Sequence, residues 1–259
     1  MLRLRSLGSG STGNATLVEA WGLRRRRLLI DCGLGPRVLQ ARLAKAGVDL
    51  SEIDALLITH EHHDHIAHAH RIATRHRIPV WMSEGSWRSS GQADYGELLK
   101  FCRDGQSIDL GELEITPFSV PHDALEPLQL RCSDGRHQVG ILTDLGHVSE
   151  HVVQHLVDCQ MLLLECNHDP DLLRDCAYPE FLKRRIAGDL GHLSNAQAAA
   201  LVTRLQRGQL QHVVAAHLSR TSNRPDLAER ALEDALAGSA QVSVADASEG
   251  SSWISPSTC

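Results

Sequence analysis

Thr59-His-Glu-His-His-Asp-His65 is the stretch from which the fold of this chain can be read. A mostly apolar run, from Asp54 into Thr59, precedes it. A buried strand therefore ends where a dense set of imidazoles and one carboxylate begins. His60 and His62 lie two apart, so on an extended segment they point the same way. Asp64 and His65 are adjacent and can turn to a second point in space. The arrangement suits two neighbouring metal ions, one taking His60 and His62, the other Asp64 and His65. Imidazole and carboxylate are the ligands expected for zinc and similar divalent ions. The plainer reading is a polar loop that is merely rich in histidine. The position directly after a strand, and suitable partners downstream, speak against it.

The bulk numbers set bounds. A chain of 259 residues can be one large domain or two small ones. It has no linker rich in Pro, Gly or Ser, no repeat and no low-complexity tract, so one domain over 1–259 is expected. With 42% hydrophobic residues but only 3% aromatics, Leu, Val, Ile and Ala must fill the core. No run approaches the roughly 18 apolar residues of a membrane span. Met1-Leu-Arg-Leu-Arg-Ser6 is not followed by an apolar stretch of signal-peptide length. A cytoplasmic protein without a membrane partner is the expectation. Seven cysteines (32, 102, 132, 159, 166, 176 and 259) are an odd number without C-x-x-C spacing, which favours reduced thiols. A net charge of −6 gives no general attraction to nucleic acid, so any phosphate-binding surface must be local. The candidates are Arg24 to Arg27 and the cluster Lys183, Arg184, Arg185. Four consecutive arginines are more often a solvated loop or edge than a binding patch.

The first third reads as strands over Leu2–Leu7, Ala15–Ala20 and Leu28–Cys32. The loop Gly8-Ser-Gly-Ser-Thr-Gly-Asn14 lies between the first two. Its small residues would let amides approach a ligand, or it is a plain hairpin turn. Pro36–Ala46 reads as a helix with Gly47 at its end. Ile66–His76 looks helical and Val80–Ser83 a strand. Further strands are expected over Leu113–Ile115, Phe118–Val120, Leu128–Cys132, Gln138–Thr143, Met161–Glu165, His212–Ala216 and Val242–Val244. Helices are expected over Val148–Val157, Asn195–Arg207 with Ser194 as its N-cap, and Pro225–Ala237, with two short ones between Asp169 and Ile186. Two similar halves of strand and helix suggest two packed sheets with helices outside.

Two metal ions need more ligands than the first motif holds. His122, in Val120-Pro-His-Asp, lies at an expected strand end. Asp144, in Thr143-Asp-Leu-Gly, and His217, in Ala216-His-Leu-Ser, do the same. An Asp can bridge two metals with its two oxygens, whereas a His binds only one. Singly, each is an ordinary polar residue at a strand end; together with the first motif they make a dinuclear set.

In the order H-x-H-x-D-H, then His, Asp and His, the chain resembles the metallo-β-lactamase fold superfamily over essentially its whole length. The resemblance implies an αββα sandwich, an α/β fold of four layers, with the metals at one edge. It implies His60, His62 and His122 on one metal, Asp64, His65 and His217 on the other, and Asp144 as the bridge. Asp31, in Leu28-Leu-Ile-Asp-Cys-Gly33, matches a position that supports the ligands from behind; alternatively it only forms the turn before Gly33. Ser9-Gly-Ser-Thr-Gly-Asn14, Glu165-Cys-Asn-His-Asp169, Tyr178-Pro through Leu182-Lys-Arg-Arg-Ile186 and Gly191-His-Leu-Ser-Asn195 are similar to the YycJ/VicX (WalJ) branch. That branch is associated with DNA exonuclease activity and is related in pattern to ribonuclease Z and ribonuclease J. Cys166 departs from that pattern, where a small polar residue is expected, and so do Thr221 and Ser222.

Gly191-His192-Leu-Ser-Asn opens a helix, where free amides and the helix dipole favour an anion. His192 there can contact a phosphate or protonate a leaving oxygen. It resembles the catalytic His segment of ribonuclease Z; alternatively it replaces His217 as a ligand, or merely precedes the cap. His168 either lines the site or is a surface residue after a strand. Histidines 63, 68, 70, 76, 137, 147, 151, 155 and 212 read as structural or solvated.

The function expected is a metal-dependent phosphodiesterase acting on nucleic acid, a 5′→3′ DNA exonuclease, with two divalent ions (zinc or manganese; the ligand set also accepts iron). Asp64 and His192 would be catalytic, and Lys183, Arg184 and Arg185 would bind neighbouring phosphates. A thioester or lactone hydrolase uses the same cage, and a non-catalytic protein with a metal-stabilised fold is a third reading. The residues leave the oligomeric state open.

Overall fold

The computed structural model describes residues 1–205 and 208–257. Strands β1 (Leu2–Gly8), β2 (Ala15–Trp21), β3 (Arg25–Ile30), β4 (Ala55–Leu57), β5 (Val80–Met82) and β6 (Leu99–Phe101) form one sheet in that order. The second sheet runs from β7 (Ile108–Asp109) through β8 (Glu114–Ser119), β9 (Leu128–Ser133), β10 (Gln138–Leu142), β11 (Met161–Glu165) and β12 (His212–Ala216) to β13 (Gln241–Val244). Hairpins make β1–β3 and β7–β10 antiparallel, while β3–β6 and β10–β13 are parallel.

Alternation along each strand builds the layers. Leu28 and Ile30 join Val139, Ile141, Met161 and Leu163 in the core between the sheets. Leu29 and Leu56 turn outward against α1 (Pro36–Lys45) and, with α2 (His63–Ile66) intervening in the chain, α3 (Ala69–His76) and α4 (Glu84–Ser89). On the other side, Leu162, Leu164, Val213 and Ala215 pack outward against α5 (Glu150–Leu156). Beyond α6 (Pro170–Asp175) and α7 (Glu180–Ile186), that outer layer is completed by α8 (Asn195–Leu205) and α9 (Pro225–Leu236). The expected αββα sandwich is the fold observed.

Most expected elements recur with their ends moved by a residue or two. Ser194 caps α8 as expected: its Oγ accepts from Gln197 N at 3.2 Å, and Gln197 Oε1 accepts from Ser194 N at 2.9 Å. The last residues of the expected Asn195–Arg207 helix, and Cys259, lie outside the described residues. The expected helix Ile66–His76 is instead two helices, and the first begins inside the histidine motif. His68 N donates to Cys32 O at 3.0 Å and Cys32 N to His65 O at 2.6 Å, so the chain is tied to the end of β3 and the helix is interrupted there. The edge strands β6 and β7 and the short helix α4 carry too few apolar residues to show in the sequence.

The arginine run is exposed at Arg24 and Arg25, half-buried at Arg26 and buried only at Arg27. Arg27 is buried, with Nε 2.6 Å from Glu19 Oε2 and Nη1 2.6 Å from Glu52. Arg26 pairs with Asp54 at 2.8 Å. Glu19 is fully buried and also meets Arg3 at 2.6 Å. Arg24–Arg27 are therefore an edge of the first sheet and line no part of the cleft described below. Removing one member of such a buried pair strands the other charge, which costs about 3–5 kcal/mol. Glu19→Ala should lower unfolding stability by about that much in urea titration; a loss under about 1 kcal/mol would show that water reaches Arg27 freely.

Candidate metal centre

The parallel strands decide where chemistry can gather. β10, β11 and β12 run the same way in register, Leu142 beside Leu164 and Glu165 beside Ala216. Their carboxyl ends thus deliver Asp144, Glu165 and His217 to one edge of the sandwich. β3 and β4, with Ile30 beside Leu57, deliver Asp31 and Thr59-His60 from the other sheet. Crevices at such strand ends are where ligands bind in parallel sheets. Two of these strand ends are strained: Asp31 has φ 61° and His217 φ 55°, left-handed values that non-glycine residues seldom adopt.

Each imidazole is aimed by a hydrogen bond. Asp31 Oδ1 accepts from Thr59 N at 2.8 Å, and its Oδ2 from His65 Nδ1 at 2.8 Å. The other nitrogen of His65 is thereby turned inward. His60 Nδ1 lies 3.0 Å from Thr59 Oγ1, and His122 Nδ1 donates to Gly191 O at 3.0 Å. Asp31 is thus a positioning group and not merely a turn former. Gly33 is obligatory, because a Cβ there would run into the Asp64 carbonyl oxygen. The Gly8–Asn14 loop is built into the site. Ser9 Oγ accepts from His217 N at 2.7 Å, and Asn14 Nδ2 lies 3.0 Å from Asp64 Oδ2 and 2.9 Å from His65 Nε2.

The expected ligands converge. His60, His62 and His122 bring one donor atom each within 4.8 Å of one another, and so do Asp64, His65 and His217. Asp144 stands between the two groups, with Oδ2 3.1 Å from His65 Nε2 and Oδ1 4.0 Å from His122 Nε2. The donors fit cations. His62 Nδ1 lies 3.0 Å from His60 Nε2 and 3.3 Å from His122 Nε2, so three imidazole nitrogens face one spot. Among the described residues, buried Asp144 Oδ2 and His217 Nε2 have no hydrogen-bond partner. His217 Nε2 is nevertheless 3.5 Å from Asp64 Oδ2. Atoms this close that do not point at one another are arranged like ligands sharing a third atom. Imidazole with carboxylate is the donor chemistry of zinc, manganese or iron.

Glu165 was not singled out as a site residue. It is fully buried, and its Oε1 accepts from His192 Nδ1 at 2.7 Å and from His217 Nδ1 at 3.1 Å. Its Oε2 accepts from Leu145 N and Leu193 N at 3.0 and 3.1 Å. A signal existed: Glu165 ends an otherwise apolar strand, as Asp144 follows one. Asp123 was also missed. Its Oδ1 is 3.5 Å from His122 Nε2 and its Oδ2 accepts from Arg185 Nε at 2.6 Å.

The cage opens onto a cleft of about 400 Å³ lined by His62, Asp64, Asp144, His192 and His217, and walled by Tyr178, Leu182, Arg185 and Ile186 around α7. Of the three basic candidates the structure brings only Arg185 to the cleft. Lys183 Nζ donates to Arg174 O at 2.6 Å and lies 3.2 Å from Glu180, and Arg184 is exposed away from the lining. His168 is buried, not on the surface, and does not line the cleft. Cys166 is fully buried in the outer core, and burial pushes its thiol far up, so it is inert. Ser222 is buried while Thr221 is exposed, and both amides face Ser219 Oγ.

Burial disfavours charge on every group here, and the carboxylates overcome it selectively. Burial alone would lower His217, but Asp144 and Glu165 raise it to about 10. Burial likewise opposes the charge of His65, and Asp144 and Asp31 raise it well above its ordinary value. Burial and the neighbouring His65 hold His60 well below. Burial would raise Asp144, yet His217 and His65 hold it well below the usual carboxylate range. With no cation bound, then, His65 and His217 carry protons. A folded-state value above the unfolded one, about 6.5 for His, gives stability that is complete below that pH and fades as pH rises through the folded value. For His217 the fading extends to about 10. A cation needs neutral imidazole, so its binding gains over the same window. The thermal shift on adding Zn²⁺ or Mn²⁺ should be larger at about pH 8.5 than at about pH 6, with protons released on binding. An equal or larger shift at the lower pH would contradict this account.

Comparison with known proteins identifies the family. Residues 26–217 match the family described as "Beta-lactamase superfamily domain". Exodeoxyribonuclease YycJ of Bacillus anthracis is 31% identical over 239 residues, 91% of this chain and 89% of the relative. Ribonuclease Z of Bradyrhizobium diazoefficiens is 28% identical, with 84% of this chain and 87% of the relative covered. Among solved structures, the metallo-β-lactamase fold protein YhfI of Bacillus subtilis superposes with a TM-score of 0.73 at 18% identity, covering 95% of this chain and 98% of that one. The chain therefore belongs to the metallo-β-lactamase superfamily of hydrolases, in its YycJ/WalJ branch.

Proposed function

We propose that this protein is a dinuclear metal-dependent phosphodiesterase of one domain, 1–259, that removes nucleotides from the 5′ end of DNA in the cytoplasm. The observation that carries the reading is the placement of His192. Its Nδ1 is held by Glu165, its side chain is 23% exposed, and its ring lies 5.3 Å from those of both His122 and His217 at the cleft. A histidine so held has its second nitrogen free for a substrate oxygen. The chain names of similar proteins support a nucleic-acid substrate, exodeoxyribonuclease for DNA and ribonuclease Z for RNA. Among the described residues, no helix is long and apolar enough to cross a membrane, and six cysteines are free thiols, which supports the cytoplasmic reading.

His60, His62 and His122 would hold one ion, Asp64, His65 and His217 the other, and Asp144 would face both. When bound, such ions supply Lewis-acid neutralisation of a phosphate and a water made nucleophilic near neutral pH. Asp64 reaches the cleft and accepts a hydrogen bond from the attacking water. Burial would lower His192, but Glu165 and Asp144 raise it above its ordinary value, which favours its protonated form. It then donates that proton to the leaving oxygen, the role of a general acid. Arg185, released from Asp123, contacts a neighbouring phosphate.

The deciding experiment is digestion of 5′-labelled double- and single-stranded DNA and of RNA with Mn²⁺ or Zn²⁺, beside His62→Ala and Asp64→Ala controls. Stepwise loss from the 5′ end of DNA, absent in the controls, is expected. No cleavage of any polymer by the metal-loaded protein would redirect the reading to a small ester or thioester substrate. His192→Ala should lower kcat by about 10²–10⁴-fold with the metal content unchanged. Loss of one ion per chain would make His192 a ligand instead. Glu165→Gln should move the alkaline limb of the pH–rate profile to lower pH, because the anion that holds the proton on His192 is gone. An unmoved limb would separate Glu165 from proton transfer.

A further inference from the structure

We propose that Asp104, His151 and His155 form a separate surface site for a zinc ion or a divalent ion of comparable softness. None of the three lines the cleft. His151 and His155 are four residues apart on α5, which places their rings on one face, with centroids 4.7 Å apart. Asp104, from the loop between β6 and β7, completes the group. One donor atom from each residue lies within 4.8 Å of the other two.

Two of the donors are held by neighbouring residues of β8. Asp104 Oδ2 accepts from Ser119 Oγ at 3.0 Å, which leaves Oδ1 facing α5, 3.1 Å from His151 Nε2. The ring of His155 stacks on Phe118 at 4.7 Å with 8° between planes. Phe118 is fully buried in the core beneath α5, so that ring is set by packing. A plain ion pair between His151 and Asp104, with side chains 41% and 42% exposed, would contribute little.

Donor chemistry selects the ion. Two imidazoles and one carboxylate favour zinc, nickel or copper over magnesium or calcium, which prefer all-oxygen shells. Three protein ligands leave a fourth position for water in a tetrahedral shell. Ligand bonds of about 2.0–2.2 Å place tetrahedral donors roughly 3.3 Å apart, close to the spacing of His151 and Asp104. The remaining approach is a rotation of the Asp104 and His151 side chains toward the packed ring of His155. A bound ion would clip the β6–β7 loop to α5, so occupancy is also read as a rise in thermal stability.

The test is equilibrium dialysis of the full chain against micromolar Zn²⁺ with metal analysis, comparing wild type with His151→Gln and Asp104→Ala. The wild type should retain one zinc per chain more than either variant, and both variants should keep the remaining zinc and the wild-type hydrolytic rate. Asp104 is on an exposed loop, so its substitution tests the idea even if α5 tolerates no change. Equal zinc content in all three proteins across the micromolar range would overturn the proposal.

Discussion

Three carboxylates, Asp31, Asp144 and Glu165, are buried at strand ends with 2% exposure or less, and the arrangement of the centre follows from them. A buried charge costs several kcal/mol unless it is paired or hydrogen-bonded. Here each is answered locally. Asp31 has Thr59 and His65, and Glu165 has two backbone amides with His192 and His217. Asp144 is the exception, because its Oδ2 accepts no hydrogen bond although His65 is near. That unanswered oxygen of Asp144 lies between the two ligand groups, a place at which positive charge from outside the chain satisfies it.

That constraint also explains the backbone. Asp31 and His217 could avoid left-handed φ values only by leaving the strand ends where their partners stand. Strain of this kind persists when surrounding contacts over-determine it. Asp31 N donates to Leu57 O at 2.8 Å and His217 N to Ser9 Oγ at 2.7 Å, so both peptide units are pinned. The Gly8–Asn14 loop thereby holds His217 of the second half, while β4 holds Asp31 within its own sheet.

Much of this was legible in the sequence because a strand end followed by a ligand residue is a local signal. The run from Asp54 to His65, and the exits of β8, β10 and β12, showed both the sheet pattern and the donor. Glu165 escaped because a lone carboxylate after Met-Leu-Leu-Leu resembles an ordinary strand terminus; its role appears only when β11 lies beside β12. Lys183 and Arg185 show the opposite difficulty. They are near neighbours on α7, yet one turns to Arg174 and the other to Asp123, a distinction that depends on how the short helix seats. The break between α2 and α3 depends on contacts with Cys32, far away in sequence.

The division of labour between sheet and helix has a further consequence. Every proposed ligand of the cage sits on a strand exit or on the four-residue helix pinned to one, so the cage moves only if the sheets move. The wall of the cleft is different. Tyr178, Leu182, Arg185 and Ile186 come from α7 and its approach, and α7 has no buried residue of its own. Few buried contacts mean a low local cost of rearrangement. The Arg185–Asp123 pair spans from this wall to the rim of the cage at 2.6 Å, with Arg185 61% exposed. An exposed pair of this kind is worth at most about 1 kcal/mol and yields readily to a phosphate competing for the guanidinium. In the proposed reaction, a rigid cage beside a lightly held wall would separate bond cleavage from substrate selection, so that α7 could vary without disturbing the donors.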